Sequence, residues 1–450
     1  MALTKASYSM ITGAPVNVKD FGAVGDGVTD DSAAFQAAVA TLTSAGGKMI
    51  FVPKGVYVTS FELGYGQQIV GESARGSTLL KPPVGATYVI TIKATVSARQ
   101  NCQIRNMTIY NPGAVANCDG IYFNSASVSN INDSHLIENV FISDFRYGIY
   151  VTGRQILCRY LGVEIYTCTK GMYVVSDASN YSYNLNYFES CRFISCTQEG
   201  VRITGYNIAN KFVNCNIEGN NTSAVAGTAG FYIEDAEGLF LDNPYFEANG
   251  SAVVVDTVNP LSNSIGLYLT GARCFNVRVT NGWMVQSGTI IAVNVSSGII
   301  GGEISGIRFA PNSGGFDVYV GDKLNGINGQ PIIIDSNNYF SGQLKILSSA
   351  SGLTAGAVRQ TAATQFIAAA TTIDLRAANK FATFNATGFN LINITNRFPG
   401  MTMMVSNIGA GTVTIDASLM SSGVASSLAA NVSKQYLVLG YGSIGKFVEI

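Results

Sequence analysis

Residues 18–36 read VKDFGAVGDGVTDDSAAFQ and combine three glycines with four aspartates. Carboxylates at this density occur in metal and catalytic sites, but the downstream pattern favours a structural role. Apolar residues follow at three- and four-residue steps: Ala34, Phe35, Ala38, Val39 and Leu42. This spacing predicts a helix from Asp31 to about Ser44, with Thr29 and Asp30 as N-cap candidates. We therefore expect the stretch to begin a fold and to cap its end.

The composition excludes several functional classes. Hydrophobic residues make up 47% of the 450 residues and charged residues only 12%, with 49 glycines, 22 tyrosines and 23 phenylalanines. This mixture favours many short strands joined by tight turns. The formal net charge of −1 gives no general attraction to nucleic acid or to an anionic membrane. No apolar run is long enough to insert into a membrane, and residues 1–15 show no signal peptide.

The cysteines and the histidine limit the metal and catalytic chemistry that can be expected. Eight cysteines form no CxxC pair, and His135 is the only histidine. A Cys/His zinc site and a Ser-His-Asp or Cys-His mechanism are therefore not expected. We predict that the thiols are reduced and buried, and that no metal or cofactor is bound. His135 lies in the polar segment INDSHLIE, which predicts a surface position.

From about residue 100 the sequence repeats. One pattern is an apolar residue, any residue and then Ile or Phe, as in Met107-x-Ile109, Val140-x-Ile142, Val163-x-Ile165, Cys191-x-Phe193, Cys215-x-Ile217 and Pro244-x-Phe246. A second pattern is Gly, apolar, any, apolar, beginning at Gly120, Gly148, Gly171, Gly200 and Gly230. Units with such short strands cannot bury their apolar faces alone, so they must stack. The predicted fold is all-β, a right-handed parallel β-helix with an N-terminal capping helix.

The residues that precede the first pattern form a column when the units are aligned: Asn106, Asn139, Gly162, Ser190, Asn214 and Asn243. Asparagines stacked at a turn can hydrogen-bond to their neighbours on adjacent coils. This column is therefore expected to be a structural ladder, and it fixes which side chains of each strand point outward.

The periodicity changes towards the C terminus. Residues 350–365 are small and polar and indicate a linker, after which alternating runs such as TTIDL, FATFNA and KFVEI predict a β-sandwich. Three regions follow from this division. Residues 1–60 form a neck with the start and cap of the β-helix, residues 61–349 form the β-helix, and residues 350–450 form a C-terminal β-sandwich for trimerisation or glycan binding.

Three segments resemble a known family. VNVKDFGAVGDGVTDDSAAFQAAV with GGKMIFVPKGVY resembles the N-terminal motif of pectate-lyase-like β-helix proteins, and the preceding LTKASYSMITGAPVNV is similar to the segment ahead of that motif in bacteriophage tailspikes. The C-terminal TIDLRAANKFATFNATG and GYGSIGKFVEI resemble the sandwich that often ends phage tail fibres. The resemblance implies a virion-tail depolymerase, a side-by-side homotrimer that binds and cuts a bacterial capsular or O-antigen polysaccharide outside the cell. Because the chain begins almost directly at the motif, two alternatives are expected: an N-terminal particle-binding domain has been removed, or the protein attaches through another phage tail protein.

The resemblance supplies no catalytic positions, because these vary between tailspikes, so the candidates come from the repeat alignment. With Cys215 and Ile217 pointing inward, Glu218 points outward, and Glu247 takes the same orientation on the next coil. Strands on adjacent coils lie about 4.8 Å apart, so the two carboxylates could form a catalytic pair for glycoside hydrolysis. Two further catalytic candidates, Glu189 and Asp242, share the column just before the asparagine ladder.

An outward column beside the paired glutamates offers groups that suit a sugar: Glu164, Arg192, Asn216 and Tyr245. We predict Arg192, Asn216, Tyr245 and Trp283 as substrate-binding residues. For Trp283, the only tryptophan, sugar stacking and core packing are both open.

The alternatives to a hydrolase stay open. A lyase would need a base that removes a ring proton, and no residue is singled out for this role by the sequence. A receptor-binding spike without enzymatic activity would have the same fold. The acidic segment IEDAEG, with Glu234, Asp235 and Glu237, is expected to form a turn rather than a site.

Overall fold

The computed structural model describes residues 15–42, 49–64, 66–94, 101–113, 115–125, 131–176, 183–256, 258–286, 288–295, 298–310, 315–320, 412–439 and 446–450, together with residue 338 and short strands between 332 and 407. Within these residues most of the chain is β-strand, and the strands stack in parallel, coil upon coil. The architecture is a right-handed parallel β-helix, which confirms the predicted fold. Among the described helices, none is long and apolar enough to cross a bilayer.

Each coil contributes to three sheets and a narrow ridge, in the chain order sheet I, ridge, sheet II and sheet III. Sheet I contains Phe61–Leu63, Tyr88–Ala94, Asp119–Ser125, Tyr147–Thr152, Lys170–Val175, Val201–Thr204, Thr289–Val293, Phe316–Val320 and Gln343–Ile346. The ridge contains Ile131–Asp133, Arg154–Ile156, Tyr183–Asn184 and Asn207–Ile208.

Sheets II and III follow in each coil. Sheet II contains Val16–Asn17, Met49–Val52, Gln68–Gly71, Arg159–Leu161, Tyr187–Glu189, Lys211–Val213, Phe240–Asp242, Ile332–Ile334 and Val358–Gln360. Sheet III contains Asp26–Asp30, Gly55–Val58, Thr78–Lys81, Glu164–Tyr166, Arg192–Ile194, Asn216–Glu218, Tyr245–Glu247, Trp283–Val285 and Arg308–Phe309. Five longer strands run through a corner and join two or more of these layers: Gln103–Tyr110, Leu136–Ser143, Ala229–Glu237, Ile265–Thr280 and Gly298–Ser305.

Residues with positive φ form the corners of the coil. The predicted asparagine column lies at the corner between sheets II and III, where φ is 49–57° at Asn106, Asn139, Gly162, Ser190, Asn214 and Asn243. The amide of Asn139 donates to Oδ1 of Asn106 at 2.9 Å, and the amide of Asn243 donates to Oδ1 of Asn214 at 2.9 Å. Asparagine tolerates the left-handed region better than most residues, and its amide links adjacent coils. The ladder is therefore structural, as predicted.

The aspartates of the opening stretch organise turns at the N-terminal end of the coil. The helix spans Ser32–Ala40, and Asp31, one residue after the predicted candidates, is its N-cap residue. The Asp31 carboxylate accepts the backbone N–H groups of Val24 and Gly25 at 2.7 and 3.2 Å. Oδ1 of Asp30 accepts the N–H of Ser32 at 2.9 Å. The helix ends at Ala40, with Thr41 as its C-cap residue, so the end predicted near Ser44 is wrong.

Inward side chains stack along the axis and form a continuous core. On sheet II the rings of Tyr160, Phe188 and Phe212 stack with centroid separations of 4.4 and 4.2 Å and planes within 2° of parallel. All eight cysteines are buried and free, as predicted. In the glycine column of sheet I, a Cβ at Gly171 would lie 2.4 Å from the carbonyl oxygen of Gly200. Only glycine permits this approach of adjacent coils, which explains the repeated glycine.

Beyond the β-helix the described strands form smaller sheets. A five-stranded sheet contains Thr364–Phe366, Lys380–Thr383, Thr402–Asn407, Val432–Leu439 and Lys446–Glu449. A three-stranded sheet contains Phe389–Leu391, Val413–Ile415 and Ser426–Leu428, and Ile373–Asp374 pairs with Ile394–Thr395. Val358–Gln360 pairs with Ile332–Ile334, so part of the predicted linker is a strand of sheet II. The domain boundaries and the side-by-side trimer remain predictions.

His135 is buried, and the predicted surface position is wrong. Only 1% of the residue is exposed, its ring centroid lies 5.6 Å from that of Phe123, and its Nδ1 accepts the backbone N–H of Cys102 at 3.0 Å. The preceding Ser134 has a φ of 58° and forms a corner that turns the imidazole inward. Burial lowers the pKa of His135 from 6.5 to about 3. The ring is therefore neutral at physiological pH and has a structural role.

This burial predicts that acid weakens the fold through His135. The native state keeps the ring neutral while the unfolded chain takes up a proton below pH 6.5, so the stabilisation is complete above pH 6.5 and is lost as the pH falls towards 3. At about 1.4 kcal/mol per pH unit, the free energy of unfolding should fall by about 2 kcal/mol between pH 7 and pH 5. Denaturant unfolding of the wild type and His135→Gln across this range measures the effect. An equal pH dependence in both proteins would contradict it.

Candidate functional site

The predicted glutamate pair lies on the outer surface of sheet III. Glu218 and Glu247 are register partners on adjacent coils. The residue before each glutamate, Ile217 or Phe246, points inward and is buried in the core. Adjacent strands in a sheet lie about 4.8 Å apart, so the carboxylates project from neighbouring positions. The predicted register of this pair is confirmed.

Each glutamate of the pair accepts a hydrogen bond from a side chain on its own strand. The amide of Asn216 donates to Oε2 of Glu218 at 3.0 Å, and the hydroxyl of Tyr245 donates to Oε2 of Glu247. Burial, followed by the contact with Glu247, raises the pKa of Tyr245 to about 12. The phenol therefore stays protonated and remains a donor at neutral pH. These contacts hold the two carboxylates in place without neutralising them by a cation.

An aromatic platform borders the pair. The strand pairings place Arg192, Asn216, Tyr245 and Trp283 in one outward column, so the four predicted substrate-binding residues lie on successive coils. The side chain of Trp283 is not in the core, since 38% of the residue is exposed. Its ring lies edge-to-face with that of Tyr245, with centroids 5.0 Å apart and an interplanar angle of 62°. Exposed aromatic faces of this kind can stack against the apolar face of a sugar ring.

Charged residues extend this column towards the N-terminal coils. Glu164 is the register partner of Arg192, and its Oε2 lies 3.3 Å from the Arg192 guanidinium. The same carboxylate oxygen contacts the guanidinium of Arg75 and accepts the hydroxyl of Tyr166 at 3.3 Å. One carboxylate thus faces two arginines on an exposed surface. Glu164 and Arg192 lie on the two coils that precede Glu218.

The other two predicted catalytic carboxylates do not join the pair. Glu189 and Asp242 share an outward column of sheet II, as predicted, but Val213 lies between them in the register. Glu189 accepts the hydroxyl of Tyr187 at 3.1 Å, and Asp242 accepts hydrogen bonds from Thr280 and Asn281, both at 3.1 Å. The asparagine corner separates this column from sheet III. Their catalytic role remains a prediction.

The acidic segment that was expected to form a turn lies in a strand instead. Glu234, Asp235 and Glu237 belong to Ala229–Glu237, which bends at Asp235 (φ 47°) as it passes from sheet I to the ridge. The strand form prevails because each side of the bend pairs with a strand of the preceding coil. Within the part of the chain that the structure describes, no group of three or more His, Cys, Asp or Glu side chains is arranged to hold a metal ion.

A second outward strip, on sheet I, was missed by the repeat analysis. Its residues are register partners on six successive coils: Tyr122, Tyr150, Tyr173, Arg202, Tyr232 and Tyr268. We call this set the tyrosine strip. The sequence contained its signal, because all six occupy the unspecified position of a Gly-apolar-x-apolar pattern, which also occurs at Gly266. That pattern was used only to locate buried residues, so the outward residue between them was not compared from unit to unit.

Ion pairs border the tyrosine strip at the start of the sheet I strands. Arg146 forms a two-point contact with Asp119, from Nε at 2.9 Å and from the terminal nitrogen at 2.6 Å. Glu199 accepts from Lys170 on one oxygen and from Arg202 on the other, both at 2.6 Å, and its side chain is only 2% exposed. Burial favours a higher pKa for Glu199, but the contacts with Lys170 and Arg202 together outweigh it and lower the pKa. Three cations therefore face two carboxylates.

Comparison with known proteins agrees with the observed fold. Residues 15–96 match the family model described as rhamnogalacturonase A/epimerase, pectate lyase-like. The mannuronan C5-epimerase AlgE5 of Azotobacter vinelandii is 57% identical over 44 residues, which are 10% of this chain and 4% of that protein. Geobacillus virus E2 ORF18 superposes with a TM-score of 0.51 at 15% identity over 97% of this chain and 76% of that chain. Tailspike protein 2 of bacteriophage CBA120 gives 0.48 at 14% identity over 94% and 59%.

These matches bear on the fold. Residues 15–96 are similar to pectate-lyase-like proteins, as the sequence resemblance implied, and the viral structure has the same β-helix fold. The chain spans only 2–11% of the length of the curated relatives that it matches.

Proposed function

We propose that the chain is a bacteriophage tailspike that binds and depolymerises a bacterial surface polysaccharide, capsule or O-antigen, by hydrolysis of a glycosidic bond. It acts outside the host cell as part of the virion tail. Its assembly is a side-by-side homotrimer, joined to the particle by a phage tail attachment protein. No cofactor takes part in the reaction.

The observation that carries the hydrolytic proposal is the register pairing of Glu218 with Glu247 on an exposed sheet. Glycoside hydrolysis uses two carboxyl groups, one on each side of the scissile bond. Both side chains project from adjacent strands, and neither carboxylate is paired with a cation among the described residues. The platform of Tyr245 and Trp283 lies beside them and would orient a sugar ring.

The phage setting is supported by three independent likenesses. Residues 3–18 and the C-terminal segments resemble parts of tailspikes and tail fibres, and the solved structure that matches 97% of this chain is a viral protein. A β-helix suits a polymeric substrate, because its successive coils present repeated outward positions to successive sugars.

The proposal is tested by incubating the protein with a panel of purified capsular and O-antigen polysaccharides. Size-exclusion chromatography should show shortening of at least one polysaccharide, with a matching increase in reducing ends. Ultraviolet absorbance should stay flat, since hydrolysis creates no unsaturated sugar. A rise in absorbance would instead identify a lyase, and binding without any shortening would identify a receptor-binding spike. Either result would overturn the hydrolytic proposal.

A further inference from the structure

We propose that the tyrosine strip and the adjoining ion pairs of sheet I form a second polysaccharide-binding site, one that takes anionic glycans and is separate from the glutamate pair on sheet III. This inference rests on the proposed polysaccharide substrate. The site would hold the polymer, while the glutamate pair would cut it.

The tyrosine strip presents hydroxyl groups rather than ring faces. Tyr122 and Tyr150 stack with centroids 5.2 Å apart and planes 14° from parallel, and Tyr150 and Tyr173 stack at 5.7 Å and 18°. Because these three rings cover each other's faces, they offer their edges and hydroxyl groups to a ligand. On the same face the hydroxyl of Tyr122 lies 3.0 Å from Oγ1 of Thr152, and that of Tyr232 donates to Oε1 of Glu234 at 2.7 Å. Phenol groups in such a strip can donate to and accept from the hydroxyls of an extended sugar chain. Sheet III, with its exposed indole, offers the complementary stacking surface.

Arg202 interrupts the tyrosine strip with a fixed positive charge. Its guanidinium lies 4.1 Å from the ring centroid of Tyr232 and bonds to Oε1 of Glu199, while 28% of the side chain stays exposed. A guanidinium carries five N–H donors, and its fork matches carboxylate and phosphate groups. Because the ring and the buried carboxylate already hold the side chain, less conformational entropy is lost when it binds a ligand. Arg202 is therefore preorganised for an anionic group.

The local charge balance favours an anionic ligand. Lys170 and Arg202 share the single carboxylate of Glu199, which is almost fully buried, whereas Arg146 and Asp119 neutralise each other. The Lys170–Glu199–Arg202 cluster thus carries one excess positive charge, while the carboxylate of Glu234 on the same face accepts from the hydroxyl of Tyr232 and the backbone N–H of Gly205. The excess charge adds little to the stability of the fold, because two cations that share one carboxylate are each only partly neutralised. A sugar carboxylate or phosphate would complete the cluster.

The two sites lie on neighbouring faces of the same coils. Each strand of sheet III leads through one corner into the next strand of sheet I, as Arg192–Ile194 leads into Val201–Thr204. Glu199 lies in this connection. A polymer bound along sheet I can therefore reach sheet III across the corner between the two sheets. Binding at either site would raise the effective concentration of the polymer at the other site.

The test measures binding in a protein that cannot cut, so that cleavage does not confuse the result. The full chain with Glu218→Gln and Glu247→Gln is assayed by surface plasmon resonance. The probes are immobilised carboxylated, phosphorylated and neutral bacterial polysaccharides, with the carboxylated ones also in carboxyl-reduced form. We expect binding to an anionic polysaccharide that weakens with added salt. Arg202→Gln should weaken it at least tenfold, and Tyr150→Phe, which keeps the ring stack, should weaken it measurably.

The controls separate a lost site from a lost fold. Arg159→Gln removes an exposed arginine from sheet II and should leave the affinity unchanged. Arg202→Lys keeps the positive charge beside Glu199 and should retain more affinity than Arg202→Gln. Equal binding of native and reduced polysaccharide, an unchanged affinity in Arg202→Gln, or no binding to any anionic probe would overturn the inference. Cleavage that survives both glutamine substitutions would overturn only the proposed hydrolytic pair.

Discussion

Replacement of Glu218 or Glu247 by glutamine should lower the rate of polysaccharide cleavage by about 10²–10⁴-fold, the range that proton transfer by a positioned side chain contributes. Glutamine has nearly the same shape and can still accept from Asn216 or Tyr245, so the surface of sheet III should keep its form. It cannot act as a general acid, a general base or a carboxylate nucleophile, which are the roles of the two carboxyl groups in glycoside hydrolysis. Release of reducing ends at fixed polysaccharide concentration measures the loss.

The control for this experiment is Glu138→Gln. Glu138 is a half-buried glutamate on the sheet II side of the strand Leu136–Ser143, paired at 3.8 Å with Arg105, and its replacement should leave the rate unchanged. The double variant Glu218→Gln/Glu247→Gln should be little slower than the slower single variant, because the two groups act on the same bond. Full activity in either single variant would show that the glycan is cut elsewhere.

Phe188→Ala should lower the free energy of unfolding by about 3–5 kcal/mol, as for large aromatic residues removed from other protein cores. Phe188 is fully buried, and its ring stacks on both sides, on Tyr160 at 4.4 Å and on Phe212 at 4.2 Å. Its removal would leave a cavity in the middle of a ladder. Neighbouring coils cannot close this cavity, because backbone hydrogen bonds fix their separation at about 4.8 Å. Denaturant unfolding at fixed protein concentration measures the loss.

Phe240→Ala is the matched control, since Phe240 lies on sheet II two coils after Phe188 but in an outward position, with Lys211 over its ring at 4.9 Å. We expect a loss of less than about 1 kcal/mol. Phe188→Leu, a smaller change in volume, should cost about 1–2 kcal/mol and keeps the comparison possible if the alanine variant does not fold. Equal losses of unfolding free energy in Phe188→Leu and Phe240→Ala would show that the buried ring stack adds no more stability than an outward ring.

The repeat alignment predicted inward and outward positions reliably where a strand alternates and a corner residue marks its start. Glu218 and Glu247 were placed on the same column because each follows an asparagine corner by four residues, at Asn214 and Asn243. The alternation has a period of 2, so a fixed starting point determines every later position. The same reasoning placed Tyr245 beside Asn216.

The alignment failed where a corner is not marked by a recognisable residue. His135 follows a corner at Ser134, and Asp235 is itself a corner within a strand, but neither belongs to a repeated motif. Because the residues around both positions are polar, the sequence indicated a loop at each. The orientation of Trp283 was also left open, because the aligned units ended at Pro244-x-Phe246 and did not include the asparagine corner at Asn281. Pairing with Tyr245 on the adjacent coil settles it.

The sequence by itself determined the repeat, the register and the outward direction of the candidate glutamates, because these depend only on local alternation and on residues that tolerate a left-handed corner. The tertiary structure decided which side chains meet. Lys170 and Glu199 belong to successive units and are 29 residues apart, and stacking brings their charged groups to within 2.6 Å, where Glu199 also pairs with Arg202 of its own unit. Stacking likewise turns single tyrosines into the tyrosine strip and closes the core over His135. These contacts arise between coils, where the spacing is fixed by backbone pairing and not by any property of one unit.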